Sequence, residues 1–292
     1  MYGKIIKQIR KSKNMTLKEV AGEALSISQL SRFENEKSVI PVDLFYEVLD
    51  NLNSTTEEFN YIKNEKRPNK ILELLKKVEF YTNNELFDDL KVLKEEIKNS
   101  RPGIYSWDQF VIYFIDSILA IYEDKESTGK QAVLEYLMRV EDWGEMELRL
   151  YAMFGFVLDV ETTYVLMGTA LKRSKQYLDV PAASKLLYTI LSNNFSTFLS
   201  NKNIKYAEET IKLFEDNYSE NTEFLTPHID FVFNKGLLAF AKNDLKKAEE
   251  YFKKAINTCE LFQQKKLEEH YKSRYKGWMN DPEYKELIIT VR

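Results

Sequence analysis

The stretch TLKEVAGEALSISQLSRFE, residues 16–34, decides how the rest of the chain is read. Thr16 precedes a short apolar-periodic run and Glu19 follows three residues on, the spacing at which a hydroxyl and a carboxylate cap a helix N-terminus reciprocally. Leu17, Val20 and Ala21 then share one face. After Leu25, Ser26 is a second N-cap, and Leu30 and Phe33 fall on the inner side of the helix it opens. Two short helices joined by a tight turn are expected. Upstream, Ile5, Ile6 and Ile9 lie on one side of a helix, with Lys4, Lys7, Arg10 and Lys11 on the other. Downstream, Pro41 sits near the first turn of a helix through Leu44, Phe45, Val48, Leu49 and Leu52, and Thr55 or Thr56 caps one carrying Phe59 and Ile62. The polar run NEKRPNK, Asn64 to Lys70, reads as a linker.

A chain of 292 residues is long enough for two domains, each with its own core. Its 44% hydrophobic and 30% charged residues are those of a folded protein rather than a disordered one. Strands and hairpins need frequent turn residues, so only 9 Gly and 6 Pro favour long helices with short connections. The expected fold class is all-α: a five-helix domain over residues 1–66, a linker over 67–71, and a larger helical domain over 72–292. The lone Cys259 rules out an intrachain disulfide. The greasiest stretch, Phe110 to Tyr122, is interrupted by Asp116 and is too short for a membrane span. The basic run within Met1 to Met15 has no apolar segment behind it, unlike a signal peptide. A reducing cytoplasm is the expected compartment, with no membrane partner.

Net charge is −4, yet residues 1–33 hold seven Lys or Arg against Glu19 and Glu23, a local +5. A basic end on an acidic body suits a modular DNA binder, because phosphate contacts need positive charge only at the contact face. The two short helices match the helix-turn-helix, whose second helix lies in the major groove with its first residues on base edges. The run Gly3, Ile6, Ile9, Arg10, Lys13, Met15, Thr16, Leu17, Val20, Ala21, then Ser26, Ser28, Leu30, Ser31, Phe33, Glu34 resembles the Cro/repressor-type helix-turn-helix family over positions 3 to about 62. That resemblance points Ile27, Ser28, Gln29 and Arg32 toward bases. Arg32 leads, since a guanidinium pairs with guanine O6 and N7 in bidentate fashion. Lys11, Lys13, Asn35 and Lys37 are assigned to phosphate positioning. The resemblance also implies a partly buried structural ion pair between Arg10 and Glu34.

From Ile71 onward the chain reads as amphipathic helices. FNKGLLAFAKNDLKKAEEYFKKAIN, residues 233–257, places Gly236, Ala239, Ala248, Phe252 and Ala255 at the small and aromatic positions of a tetratricopeptide helix pair. A weaker copy has Tyr188 to Phe198 as its first helix and Tyr206, Ala207, Ile211 and Phe214 in its second. Asp108 to Tyr122 with Gly129 to Val140, and Gly144 to Val160 with Glu161 to Gln176, read as further pairs. Four or five such pairs would stack into a right-handed superhelix whose concave face suits an extended peptide.

Together with SISQLSRFENEKSVIPVDLFYEVLDNLN, residues 26–53, this layout resembles the Rgg branch of the RRNPP peptide-pheromone receptors of low-GC Gram-positive bacteria. The resemblance implies a homodimer on a double-stranded DNA operator with two half-sites, a short peptide pheromone as ligand, and control of transcription in quorum sensing. Whether the peptide acts on DNA affinity or on recruitment of RNA polymerase is left open. An extended peptide needs its amides paired, which Asn side chains do without dictating sequence. Asn193 and Asn194, in the otherwise apolar LLYTILSNNFSTFL, and Asn234 are the candidates. Any of them could instead bond within the repeat. Arg149 could clamp a carboxylate or pair with Glu145 four residues earlier.

An enzyme would need a constellation that is not visible: one Cys, His228 and His270 far apart, and no HExxH or nucleophile elbow. No catalytic residue, cofactor or metal is expected. A rival reading keeps the DNA-binding head and makes the repeat domain a protein-docking or oligomerisation scaffold without peptide ligand.

Overall fold

The computed structural model describes residues 2–67, 69–125, 127, 129–218 and 225–280. Among these, sixteen α-helices and two short 3-10 turns carry the fold and no strand is present. Contacts divide the chain into two compact units, Met1–Lys77 and Val78–Arg292. The division falls inside a helix, α6 (Lys70–Asn83), so Lys70 and Ile71, expected in the linker, are helical.

The first unit begins with α1 (Tyr2–Ser12), α2 (Leu17–Ala21), α3 (Ile27–Glu34), α4 (Val42–Asn51) and α5 (Thr56–Lys63). Capping sets three of the starts. Thr16 and Glu19, Ser26 and Gln29, and Thr55 and Glu58 each form a reciprocal box. Ile5, Ile6 and Ile9 from α1 meet Val20, Ala21, Leu25, Leu30, Phe33, Val48, Leu49, Leu52 and Phe59 in one core. Close approach of α1 to α3 depends on Gly3, where a Cβ would lie 1.8 Å from the Phe33 carbonyl oxygen.

The second unit is a series of antiparallel-style helix pairs with short connections: α7 (Phe87–Lys98), α8 (Trp107–Tyr122), α9 (Gly129–Arg139), α10 (Glu145–Phe154), α11 (Val160–Arg173), α12 (Pro181–Ser200), α13 (Ile204–Tyr218), α14 (Leu225–Ala241), α15 (Leu245–Leu261) and α16 (Lys265–Asn280). From α7 on, most successive helices pack on one another, and α12 also meets α10 and α14. Small residues set the spacing as the repeat pattern predicts: Gly236 of α14 lies against Phe252 and Ala248 of α15. Arg173 closes the end of α9 by donating to the carbonyls of Leu137, Met138 and Val140, satisfying groups that a helix C-terminus leaves open. Apolar nearly all round, α12 is buried along most of its 20 residues.

Candidate functional site

Two surfaces bring the chemistry-bearing residues together, one in each unit. In the first, α3 turns Leu30 and Phe33 inward and leaves Ile27, Ser28, Gln29 and Arg32 exposed. Ile27, a large apolar residue at the first position of this helix, is 49% exposed and stands outside the core cluster. The Gln29 carboxamide oxygen accepts from the Ser26 N–H at 3.0 Å and from its hydroxyl at 2.8 Å. Its amide NH2 is therefore the end left to face outward.

The base of α3 is held to α1 by Arg10, which donates through Nε and Nη2 to the two Glu34 carboxylate oxygens, each at 2.7 Å. A third bond runs from Arg10 Nη1 to the Met15 carbonyl at 2.9 Å. The bond to Glu34 raises the guanidinium further above its already high pKa. Of the residues assigned to phosphate, Lys11 and Lys37 are exposed. Asn35 accepts from Lys7 Nζ at 2.7 Å and donates to the Ser31 carbonyl at 2.8 Å. Lys13 donates to the Leu52 and Asn53 carbonyls at 2.9 and 2.6 Å, closing the end of α4. For Lys13 this internal task competes with a phosphate contact.

In the second unit, α6, α12, α13, α14 and α16 wall a cleft of about 760 Å3. Asn193 of α12 and Asn234 of α14 both line it. Asn234 is 3% exposed; its amide donates to the Ser192 hydroxyl at 3.3 Å, while its carbonyl oxygen has no hydrogen-bond partner among the described residues. Phe214 and Phe231 stack at 4.2 Å between ring centres and form an apolar wall. Charges line the cleft as well. Asp230 accepts from the Tyr271 hydroxyl at 2.6 Å and sits 3.7 Å from Arg274, whose guanidinium lies over the Phe233 ring. Burial pushes the Asp230 carboxyl above its usual range, against the opposing pull of Arg274, Tyr271 and His270.

The four residues expected at a peptide site are thus separated. Asn194 does not line the cleft: it donates to the Tyr151 hydroxyl at 2.8 Å, and that hydroxyl donates to the Thr163 carbonyl at 2.7 Å, inside the core. Burial drives the Tyr151 phenol far above its ordinary pKa, so it remains a donor. Arg149 does not line it either; it donates to Glu145 at 2.7 Å. The reason is helical phase. Asn193 and Asn194 are neighbours about 100° apart, so only one can face a given side. Lys185, Phe214, Asp230, Phe231, Lys266 and Arg274 were not anticipated, and only the four-residue spacing of Lys266, His270 and Arg274 signalled a shared face.

Among the described residues, no three of His, Cys, Asp or Glu come together to hold a metal ion, and no helix is long and apolar enough to cross a membrane.

A five-helix first unit with a helix-turn-helix at α2–α3, and a second unit of helix pairs, define a helix-turn-helix transcription regulator, and residues 6–59 match the helix-turn-helix family model. Residues 130–273 match the C-terminal domain of the HTH-type transcriptional regulator Rgg, a span holding all the cleft residues except Glu79, Asn83 and Arg274. Together the two matches support an Rgg-type regulator, and both are to domains of transcription regulators rather than of enzymes. Solved structures share the fold. The SHP pheromone receptor Rgg2 of Streptococcus dysgalactiae is 20% identical with a TM-score of 0.74, over 94% of this chain and 99% of that one. A protein of Listeria monocytogenes EGD-e described as a transcriptional regulator is 19% identical with a TM-score of 0.80, over 96% and 97%. PrgX in its complex with cCF10 is 16% identical with a TM-score of 0.66, over 94% and 98%.

Proposed function

We propose that this chain is a sequence-specific DNA-binding transcription regulator controlled by a short peptide pheromone bound in the α12–α14–α16 cleft, acting in the cytoplasm in quorum sensing. Residues 1–66 bind DNA, and residues 72–292 bind peptide and dimerise, so that a homodimer meets an operator with two half-sites. On DNA, Arg32 reads a base edge together with Ile27, Ser28 and Gln29, while Lys11, Lys37, Asn35 and Lys13 contact phosphate. RNA polymerase is a further candidate partner, to the extent that the peptide acts through recruitment rather than through DNA affinity. The observation that carries the peptide reading is the buried Asn234 carbonyl, without a hydrogen-bond partner among the described residues, in a helix that lines the cleft together with Asn193. An amide at that place accepts one backbone N–H of an extended chain, and Asn193 supplies another such pair. Two of the fold relatives support the same reading: one is described as a pheromone receptor and one was solved with cCF10.

The test is a fluorescence-polarisation titration of labelled duplex from the DNA flanking the gene, at two salt concentrations, with wild type and Arg32→Ala. Specific binding with a steep salt slope, relaxed in the variant, supports the reading. Binding no stronger than to random duplex sinks it for that DNA.

A further inference from the structure

The cleft is chemically lopsided. Lys266, His270 and Arg274 recur every fourth residue along α16, so they form one stripe, and all three line the cavity. Lys185 joins them from α12. Three permanent cations therefore meet two carboxylates, Glu79 of α6 and Asp230 of α14. Asp230 is already engaged, by the Tyr271 hydroxyl at 2.6 Å and by Arg274 at 3.7 Å. Neither Lys185 nor Lys266 pairs with a carboxylate among the described residues. Both ammonium groups are exposed while the cleft is open to water. A ligand that fills it strips that water away, and an uncompensated cation in the covered site opposes binding.

We infer that the ligand presents a carboxylate, at its C-terminus or on an acidic side chain, to Lys266 and Lys185 beside Arg274. This rests on the peptide reading above and narrows it. The other walls fix the rest of the ligand: the Phe214–Phe231 stack with Ile211 takes an apolar side chain, and the Asn234 carbonyl takes a backbone N–H. The peptide is accordingly apolar in the groove and anionic at the α16 side. A charge-assisted bond from an ammonium to a carboxylate is stronger than its neutral counterpart, so the anion sets affinity as well as orientation.

The test uses octapeptide pools randomised over Leu, Ile, Val, Phe and Trp, tagged at the N-terminus with an uncharged BODIPY dye. One pool is C-amidated and carries no carboxylate, one ends in a free acid, and one is amidated with a single Glu scanned through the positions. Anisotropy titrations use the full chain and the Lys185→Gln/Lys266→Gln variant, whose two exposed positions leave the fold intact, as its melting temperature verifies. A carboxylate-bearing pool is expected to bind wild type about tenfold more tightly than the carboxylate-free pool, with the preference collapsing in the variant. Comparing the free-acid and Glu pools identifies which carboxylate is read. Equal binding of all pools, or a preference unchanged in the variant, overturns this inference and leaves the peptide reading standing. If no pool binds, both fall.

Discussion

Arg10 grips Glu34 through two parallel 2.7 Å bonds, with the Glu34 side chain 2% exposed and that of Arg10 12% exposed. The pair is a structural bolt between α1 and the recognition helix, and neither residue is available to DNA. Removing one partner leaves a buried charge uncompensated, so Glu34→Ala is expected to cost about 3–5 kcal/mol. Replacing both, as Arg10→Met/Glu34→Leu, recovers most of that. Thermal melts of the three proteins decide it; a Glu34→Ala chain that melts with wild type refutes the bolt.

On the DNA face the expected effects separate by type. Arg32→Ala loses about 1–3 kcal/mol and discrimination at one base pair, whereas Lys37→Ala weakens every sequence alike and lowers the salt slope by about 1. Lys13→Ala is different again, because its ammonium holds the Leu52 and Asn53 carbonyls. It should lower the melting temperature measurably, which Lys37→Ala should not. Salt-dependent titrations paired with melts distinguish the three.

The glycines differ in what surrounds them. At Gly3 a Cβ would lie 1.8 Å from the Phe33 carbonyl oxygen and 2.6 Å from its carbon, both backbone atoms that cannot step aside. At Gly236 the nearest atoms, 2.7 and 2.8 Å away, belong to the Phe252 ring, which can rotate. Gly236→Ala should therefore cost about 1–3 kcal/mol and Gly3→Ala more. Urea melts giving the reverse order would contradict this account of the packing.

Asp159 caps α11, accepting from the Thr162 N–H at 2.8 Å and its hydroxyl at 2.7 Å, and these bonds hold its pKa below the usual value. A folded-state pKa depressed below the unfolded one stabilises above the unfolded value, and the gain disappears as pH falls through the folded value. Asp159→Ala should therefore cost about 1 kcal/mol at neutral pH. The gap from wild type should narrow below about pH 4. Denaturant melts at pH 7 and pH 3 check the sign: a gap that widens in acid excludes a carboxylate cap.

Asn234→Leu removes a buried acceptor that has no partner among the described residues, at the loss of one long 3.3 Å bond to the Ser192 hydroxyl at the open cleft, and puts an apolar group of similar size in its place. Such an exchange can be neutral or stabilising. The free chain should melt no lower than wild type, yet lose the stabilisation that a bound peptide confers. A variant that is still stabilised as strongly by peptide would show that Asn234 plays no part in the site.

Much of this was legible in the chain. Thr16 with Glu19 and Ser26 with Gln29 are local signals, complete within four residues, and local signals survive into the fold. The Arg10–Glu34 pair followed from family resemblance and could not have been read from spacing. The candidate cleft was half visible. Asn234 and Asn193 stood out as polar residues in apolar helices, but so did Asn194, and composition cannot say which of two adjacent residues meets Tyr151 in the core. Arg274 and Asp230 were invisible because their meaning comes from proximity across 44 residues of chain, between α14 and α16.

The Ser26–Gln29 cap has an evolutionary corollary. A protein of this kind acquires new target genes by exchanging the outward residues of its recognition helix. Positions 27 and 32 can vary for that purpose without disturbing the start of the helix, whereas the Ser28 hydroxyl shares a 3.1 Å hydrogen bond with that of Ser26. Position 29 cannot vary so freely, because its carboxamide oxygen closes the cap on Ser26. Glu would preserve the closure but bring a negative charge to the phosphates, and most other residues would open the helix end. The vocabulary of operators reachable by point mutation is thus narrower than four exposed positions suggest, and drift at position 29 is the change least expected among close relatives.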